Sequence, residues 1–275
     1  MAILADCHMH SSFSTDSDSS MEDMIKEGIQ KGLSTMCFTE HMDIDFPEVD
    51  DYPDAPGKPF DLNTDSYLYE LLRCKEKYKE QIRILFGVEI GMQPHLRREL
   101  AVYAKSHEFD YIIASQHLVD KMDPYYPVFW EHREEKAALK EYFETLYQDI
   151  KIFPNFDALG HLDYIIRYSA TKDANYCFQD FQDCINPILQ YLVDHEKALE
   201  INSGAIRHGL KDFNPGKEII MQYKDLGGEL ITFGSDAHSP QYIATYFDRA
   251  ADELKECGFK YYAVYEKRSP EMHRL

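Results

Sequence analysis

Seven short apolar runs punctuate the chain, near residues 2–6, 34–39, 83–88, 110–115, 157–160, 198–202 and 230–235. Several are almost unbroken, as in Tyr111-Ile112-Ile113-Ala114. Such runs suit strands buried on both faces rather than one face of a half-exposed sheet. Between them, apolar residues recur at helical spacing. Ser20 can cap a helix that carries Met21, Met24, Ile25, Ile29 and Leu33 on one side, with Gly32 near its end. Thr64 and Ser66 lie near the start of another, with Tyr67, Leu68, Leu71 and Leu72. Further helices are predicted over 95–107, 131–152, 179–196, 215–226 and 241–256. Pro187 kinks or splits the fifth, and Pro215 occupies the first turn of the sixth.

Strand and helix therefore alternate seven times, which implies parallel strands inside and helices outside. The fold class is α/β, a TIM-like barrel one unit short of eight. The tail 259–265 is either an additional short strand or a packed extension. No internal repeat or linker interrupts the pattern, so residues 1–275 read as a single domain. The segment 42–63, MDIDFPEVDDYPDAPGKPFDLN, has no periodicity and is long for a connection within a compact domain. Because it follows Glu40-His41, it is expected to lie over the mouth of a pocket.

Composition narrows the function classes. The formal charge is -20, from 49 acidic and 29 basic residues. That charge opposes nucleic acid and anionic membrane but not a small anionic metabolite, since bound cations reverse the local field. No apolar run reaches the length of a membrane span, and no basic stretch precedes the first one. The cytoplasm is the expected location. Six scattered cysteines with no CxxC pair read as free thiols rather than a disulfide framework.

The chemistry lies where the strands end. His8 and His10 follow the first run, and their i, i+2 spacing puts both imidazoles on one face of a strand. Glu40 and His41 follow the second, Glu89 the third, His117 the fourth and His161 the fifth. Asn202 and Ser203 follow the sixth, Asp236 and His238 the seventh. In a barrel these ends converge on one rim, where active sites are built. Six histidines with Glu89, Asp16 and Asp236 exceed the shell of one zinc ion. A hydrolase with two or three metals is the chemical inference, its ions activating water and balancing charge on attacking and leaving oxygens. His95, His107, His132, His195 and His273 fall elsewhere and read as surface or packing residues.

These residues resemble the PHP family of metallohydrolases. The resemblance runs through Asp6-Cys7-His8-Met9-His10-Ser11, Thr39-Glu40-His41, Gly87-Val88-Glu89, His117, Gly160-His161-Leu162-Asp163, Glu200-Ile201-Asn202 and Gly234-Ser235-Asp236-Ala237-His238. Within the family, the histidinol-phosphate branch is indicated by Ser14-Thr15-Asp16-Ser17, Asp65-Ser66-Tyr67, GHLDYIIRY at 160–168 and GFKYY at 258–262.

The resemblance implies a distorted (β/α)7 barrel forming one PHP-type catalytic domain, with three divalent or mixed-valence ions of zinc, iron or manganese. His8, His10, Glu89 and Asp236 would hold one ion. Glu89 would bridge to a second held by His117 and His161, and Asp16, His41 and His238 would hold the third. Many relatives have histidine at the position of Asp16, and Asp18 is a local alternative. The implied reaction is hydrolysis of L-histidinol phosphate to L-histidinol and phosphate. A metal-held hydroxide, set by Glu89, His117, His161 and Asp236, would attack phosphorus in line.

Arg167 and Arg207, beyond the fifth and sixth strands, fit phosphate-contact positions, and a guanidinium fork suits two phosphate oxygens. Glu40 points away from His41 along a strand and reads as an orienter of the ligands. Asp163 reads as a cap or outer acceptor. Aromatic and acidic side chains of 42–63 would suit the ring and ammonium of the substrate. The alternatives are another small phosphate ester or nucleotide as substrate, and a non-catalytic metal-binding accessory protein. No residue is singled out as general acid.

Overall fold

The computed structural model describes residues 3–47 and 60–275. All seven expected strands form. They are β1 (Ala5–Asp6), β2 (Thr35–Met42), β3 (Arg83–Gly91), β4 (Tyr111–Ser115), β5 (Ala158–Leu159), β6 (Ala198–Asn202) and β7 (Ile231–Gly234). They pair in chain order, every pair parallel. Closure comes just beyond the two outer strands. Cys7 N donates to Phe233 O at 2.9 Å, Asp236 N to His8 O at 2.8 Å and His10 N to Ala237 O at 2.9 Å. The barrel is uneven, because β2 and β3 pair over eight residues while β1 and β5 contribute two each. It is thus the distorted seven-stranded barrel that the alternation predicts.

Nine helical segments surround it among the described residues: α1 (Met21–Gln30), α2 (Thr64–Tyr78), α3 (Arg97–Tyr103), α4 (Pro127–Trp130), α5 (Glu135–Ile152), α6 (Phe178–Asp194), α7 (Gly204–Arg207), α8 (Lys217–Asp225) and α9 (Phe247–Glu256). Ser20 caps α1 by accepting from Asp23 N at 3.1 Å, as expected. Three helices differ from their predicted form. Pro187 sits inside an unbroken α6. Pro215 lies just before Gly216, the cap of α8, and not in its first turn. The stretch 241–256 is a 3-10 turn at Pro240–Tyr242 and then α9, because Tyr246 adopts a φ of 64° and breaks the run.

The tail forms no eighth barrel strand. Its strands β8 (Tyr261–Glu266) and β9 (Ser269–Arg274) pair antiparallel with each other. Their turn, Lys267–Arg268, has φ of 50° and 64°, the backbone of a tight hairpin. Arg268 reaches Asp157, and Lys267 N donates to Asp110 at 3.0 Å. Both aspartates precede strands, so the hairpin seals the N-terminal mouth. Above it, Tyr111 on β4 crosses the barrel to bond Thr232 on β7 at 2.9 Å. No helix of the described residues is long and apolar enough to cross a membrane.

Of the 42–63 segment, residues 48–59 lie outside the described residues. Its ends meet in an antiparallel bridge of Asp43 with Phe60, where Asp43 N donates to Phe60 O at 2.9 Å.

Candidate metal centre

Glu89, near the end of β3, is fully buried and stands at the middle of the C-terminal rim. Five imidazoles surround its carboxylate. His8 lies at 3.1 Å, His10 at 3.4 Å, His41 at 3.1 Å, His117 at 3.2 Å and His161 at 2.9 Å. Asp236, in the turn after β7 with φ 54°, approaches His8 at 3.7 Å and His10 at 3.5 Å. His10 is stacked between the rings of His41 and His238, at 4.1 and 4.2 Å. Asp16 closes the outer side, 3.0 Å from His238 and 3.6 Å from His41. All nine sequence-predicted ligands thus converge. Asp18 is exposed, and it is Asp16 that faces the imidazoles.

The hydrogen bonds behind the rings fix where their lone pairs point. His8 Nδ1 is 2.5 Å from Glu200. A carboxylate only accepts, so a proton sits on Nδ1, and in the neutral ring the Nε2 lone pair faces the site. His117 Nδ1 is held the same way by Asp43 at 2.7 Å, and His238 Nδ1 by the Asp236 carbonyl at 3.0 Å. Ser14 donates to Glu40 at 2.6 Å and accepts from His41 N at 3.0 Å, leaving it to accept from His10 Nδ1 at 3.1 Å. Four Nε2 lone pairs therefore point inward, at carboxylate oxygens or at each other. His8 Nε2 and His10 Nε2 are only 3.1 Å apart. Two lone pairs at that distance repel unless a cation lies between or beside them.

The orphaned atoms agree with this reading. Among the described residues, Glu89 Oε2, His41 Nδ1, His161 Nδ1 and His238 Nε2 are buried without a hydrogen-bonding partner. Burial opposes ionisation of Glu89 and Asp236, yet positive charge on neighbouring imidazoles that carry protons on both nitrogens when no metal is bound, and Arg167 for Asp236, hold both carboxyls well below the usual carboxylate range. Four overlapping groups have ligand geometry: His8-His10-Asp236, His8-Glu89-His161, His10-His41-His238 and His41-Asp43-His117. Mixed imidazole and carboxylate shells suit zinc, iron and manganese. The donor set fits more than one such ion.

Close backbone approach makes room for this shell. A Cβ at Gly234 would fall 2.3 Å from Glu200 Oε1 and from His8 Cβ. One at Gly91 would fall 1.9 Å from Asp43 Oδ1.

Glu40 touches no ring. It accepts from Ser11 N and Ser14 Oγ, one hydrogen bond removed from His10. Arg167 is buried, with Nη1 on Asp236 at 2.9 Å, Nη2 on Asn202 at 2.8 Å and Nε on Asn214 at 2.6 Å. Two of its five N–H groups remain unused by these contacts. Arg207 donates to the carbonyls of Ser235 and Asp236 at 2.7 and 2.6 Å, and lies over the Tyr242 ring. Asp163 accepts from Asn214 at 2.6 Å and Gly216 N at 3.1 Å.

A cavity of about 380 Å³ opens above the centre, and Arg167 and Arg207 line it. Its other wall is Asp123, Tyr125, Tyr126, Tyr164 and Tyr168, with Phe46 and Phe60 from the described ends of 42–63. Burial pushes the Asp123 carboxyl up to about 7. His208 also lines the cavity, and burial beside Arg167 lowers its imidazole to about 4, so it is neutral.

Three contributors escaped the sequence. Asp43 carried a usable signal, since it follows His41 by two, one residue past the end of β2, where continued extended backbone shares its face. Glu200 likewise sits two residues before Asn202 on β6. Asp123 lies in an aperiodic loop after β4, where no pattern marks it. The remaining histidines stand apart as expected. His95 meets Asp45, His107 meets Asp65, and His195 stacks on Tyr191.

Comparison with known proteins agrees with this site. The PHP domain model matches residues 6–204. The chain is 31% identical to a histidinol-phosphatase of Lactococcus lactis, over 94% of this chain and 93% of that one. It is 32% identical to a probable histidinol-phosphatase of Thermotoga maritima, over 96% and 97%. Among solved structures, histidinol phosphate phosphatase from Lactococcus lactis, complexed with zinc, L-histidinol and phosphate, superposes with a TM-score of 0.86 at 29% identity, covering 97% of this chain and 98% of that one. A barrel whose rim gathers these ligands, matched by that model over most of its length, belongs to the PHP-domain family of metallohydrolases.

Proposed function

We propose that this chain hydrolyses L-histidinol phosphate to L-histidinol and phosphate. The observation that carries this reading is the joining of two chemistries in one cavity: a rim of inward lone pairs with two arginines, facing a buried acid among tyrosines. The relative of known structure binds zinc, L-histidinol and phosphate.

In this reading, His8, His10, Glu89 and Asp236 would hold one ion, His117 and His161 would share Glu89 with a second, and Asp16, His41 and His238 would hold a third. Bound there, such ions activate water and neutralise phosphoryl charge. Glu89 could serve both of the first two positions, since Oε2 faces His8 and His10 while Oε1 faces His117 and His161. Arg167 and Arg207 orient the phosphate with their remaining N–H groups. Asp123 receives the substrate's ammonium or imidazole, and the tyrosines pack against its ring. Residues 1–275 act as one catalytic domain, supported by closure between the first and last barrel strands. A cytoplasmic place of action fits its six free thiols.

The test is phosphate release from metal-loaded protein, comparing histidinol phosphate with nucleotides and sugar phosphates. A preference of at least about tenfold in kcat/KM, roughly 1.4 kcal/mol, is expected. A smaller one removes the assigned substrate in favour of another small phosphate ester. Metal analysis separates the centre from the substrate. Asp16→Ala should lower the bound metal by one ion per chain, and unchanged stoichiometry would remove Asp16 from the third position.

A further inference from the structure

Behind Arg167, between the turn at 163–167 and the start of α8, lies a second cavity of about 140 Å³. Asp163 lines it and is 2% exposed. Phe178, Leu210 and Phe213 give it apolar walls. Its charged lining has four carboxylates, Asp163, Asp173, Asp212 and Glu218, against Lys211 and Lys217, and the Tyr176 hydroxyl, also on the wall, is buried without a hydrogen-bonding partner among the described residues. Tyr176 shares this wall with the carboxylates of Asp163 and Glu218. An unmet buried hydroxyl is costly. Asp163 accepts one bond on each oxygen, from Asn214 Nδ2 and Gly216 N, which leaves lone pairs for a further donor.

We propose that this cavity is an accessory site for a small organic cation of the alkylammonium, guanidinium or imidazolium class. Its N–H groups would bond Asp163 and Tyr176, and its carbon atoms would lie on the aromatic walls. An anion would meet a buried carboxylate, and a wholly apolar ligand would leave both polar groups unmatched.

The site is tied to the rim by a buried chain of hydrogen bonds. Asn214 Nδ2 donates to Asp163 at 2.6 Å, and Asn214 Oδ1 accepts from Arg167 Nε at 2.6 Å. Arg167 Nη1 then donates to Asp236 at 2.9 Å. A cation on Asp163 competes for the carboxylate that orients Asn214. Occupancy therefore alters how Arg167 is held, and phosphate at the rim must alter cation affinity by the same factor.

The experiment is calorimetric titration of methylguanidinium into the full metal-loaded chain, with L-histidinol and phosphate saturating the main cavity. Saturable one-to-one binding is expected to persist. Tyr176→Phe should weaken it about threefold or more, the worth of one hydrogen bond, and Leu210→Trp should abolish it by filling the space. A separate arm titrates inorganic phosphate with and without methylguanidinium and should show at least a twofold change in affinity. Absence of saturable binding, displacement by L-histidinol and phosphate, or indifference to both substitutions would overturn the site. Unchanged phosphate affinity would overturn the link to the rim. The saturation arm rests on the proposed substrate, whereas the two substitutions and the phosphate titration do not depend on which phosphate ester is hydrolysed.

Discussion

The two ends of the barrel hold the same residue type in opposite states. At the N-terminal mouth, Asp110 accepts from Phe86 N at 2.9 Å and Lys267 N at 3.0 Å. Asp157 accepts from Ile112 N at 2.8 Å and pairs with Arg268. Those carboxylates are satisfied by backbone donors and one cation of the chain itself, and they close the barrel. At the C-terminal rim, Glu89 has five imidazoles within 3.4 Å and one oxygen without a hydrogen bond. Among its partners His8, His10 and His117 offer lone pairs, beside one donor, Ser115 Oγ at 2.6 Å, whereas the lower aspartates meet N–H groups throughout. A buried carboxylate is thus structural or functional according to what faces it, not according to how deep it lies.

Removing charge at the upper end should give the largest effect. Glu89→Gln keeps the shape but loses the bridging charge. Turnover is expected to fall about a thousandfold or more, roughly 4 kcal/mol, together with a loss of bound metal. Unfolding of the metal-free protein should move by no more than about 1 kcal/mol. A variant that keeps both its metal and its rate would erase the distinction between the ends.

The lower end should answer in stability instead. Asp157→Ala strands Ile112 N–H and leaves Arg268 without its carboxylate. A loss of about 2–3 kcal/mol in denaturant unfolding is expected. Turnover per folded molecule should stay within about twofold, the change expected of a residue outside the site. A large fall in kcat with unchanged stability would contradict the division.

This contrast also explains what the sequence could and could not reveal. Strand ends are legible because long buried strands force apolar runs, and any polar residue that stops such a run must lie on a rim. That logic found His8, His10, Glu89, His117, His161 and Asp236. His41 and His238 follow strand ends too, whereas Asp16 lies in the loop after β1, where no strand end marks it and the family resemblance gave it its role. Asp43 is an intermediate case, where extending the strand by two residues would have placed it beside His41. Asp123 and the hairpin at 261–274 depend on contacts across the fold that no local pattern encodes. Asp157 precedes a strand and Asp236 follows one, and only three-dimensional placement shows that the first meets N–H groups of the closing hairpin and of β4 while the second lies between Arg167 and the rings of His8 and His10.

Asp43 tests the rim's supporting layer. Its contact with His117 Nδ1 sets which nitrogen carries the proton. Asp43→Asn can present an amide N–H to that nitrogen and reverse the preference. Metal affinity is expected to fall about 10- to 100-fold, read by competition with a chelator, while stability changes by about 1 kcal/mol or less. Unaltered affinity would mean that the packing around His117, and not Asp43, sets its tautomer.

Asp149 on α5 belongs to neither end and offers the mildest test. It is 1% exposed, and burial pushes its carboxyl up to about 6 from an ordinary value of 3.8. A carboxyl whose pKa rises on folding favours the folded state only when protonated. Its cost is therefore absent below about pH 4 and complete above about pH 6. Asp149→Asn removes the charge while keeping the shape, so it should stabilise the protein by about 1–2 kcal/mol at pH 8, below the limit of about 3 set by the whole shift. The gain should shrink towards zero at pH 4. Denaturant unfolding at the two pH values measures it. A gain that does not depend on pH would mean that burial is not what disfavours the ionised Asp149, leaving the two ends as the only places where carboxylate surroundings decide the outcome.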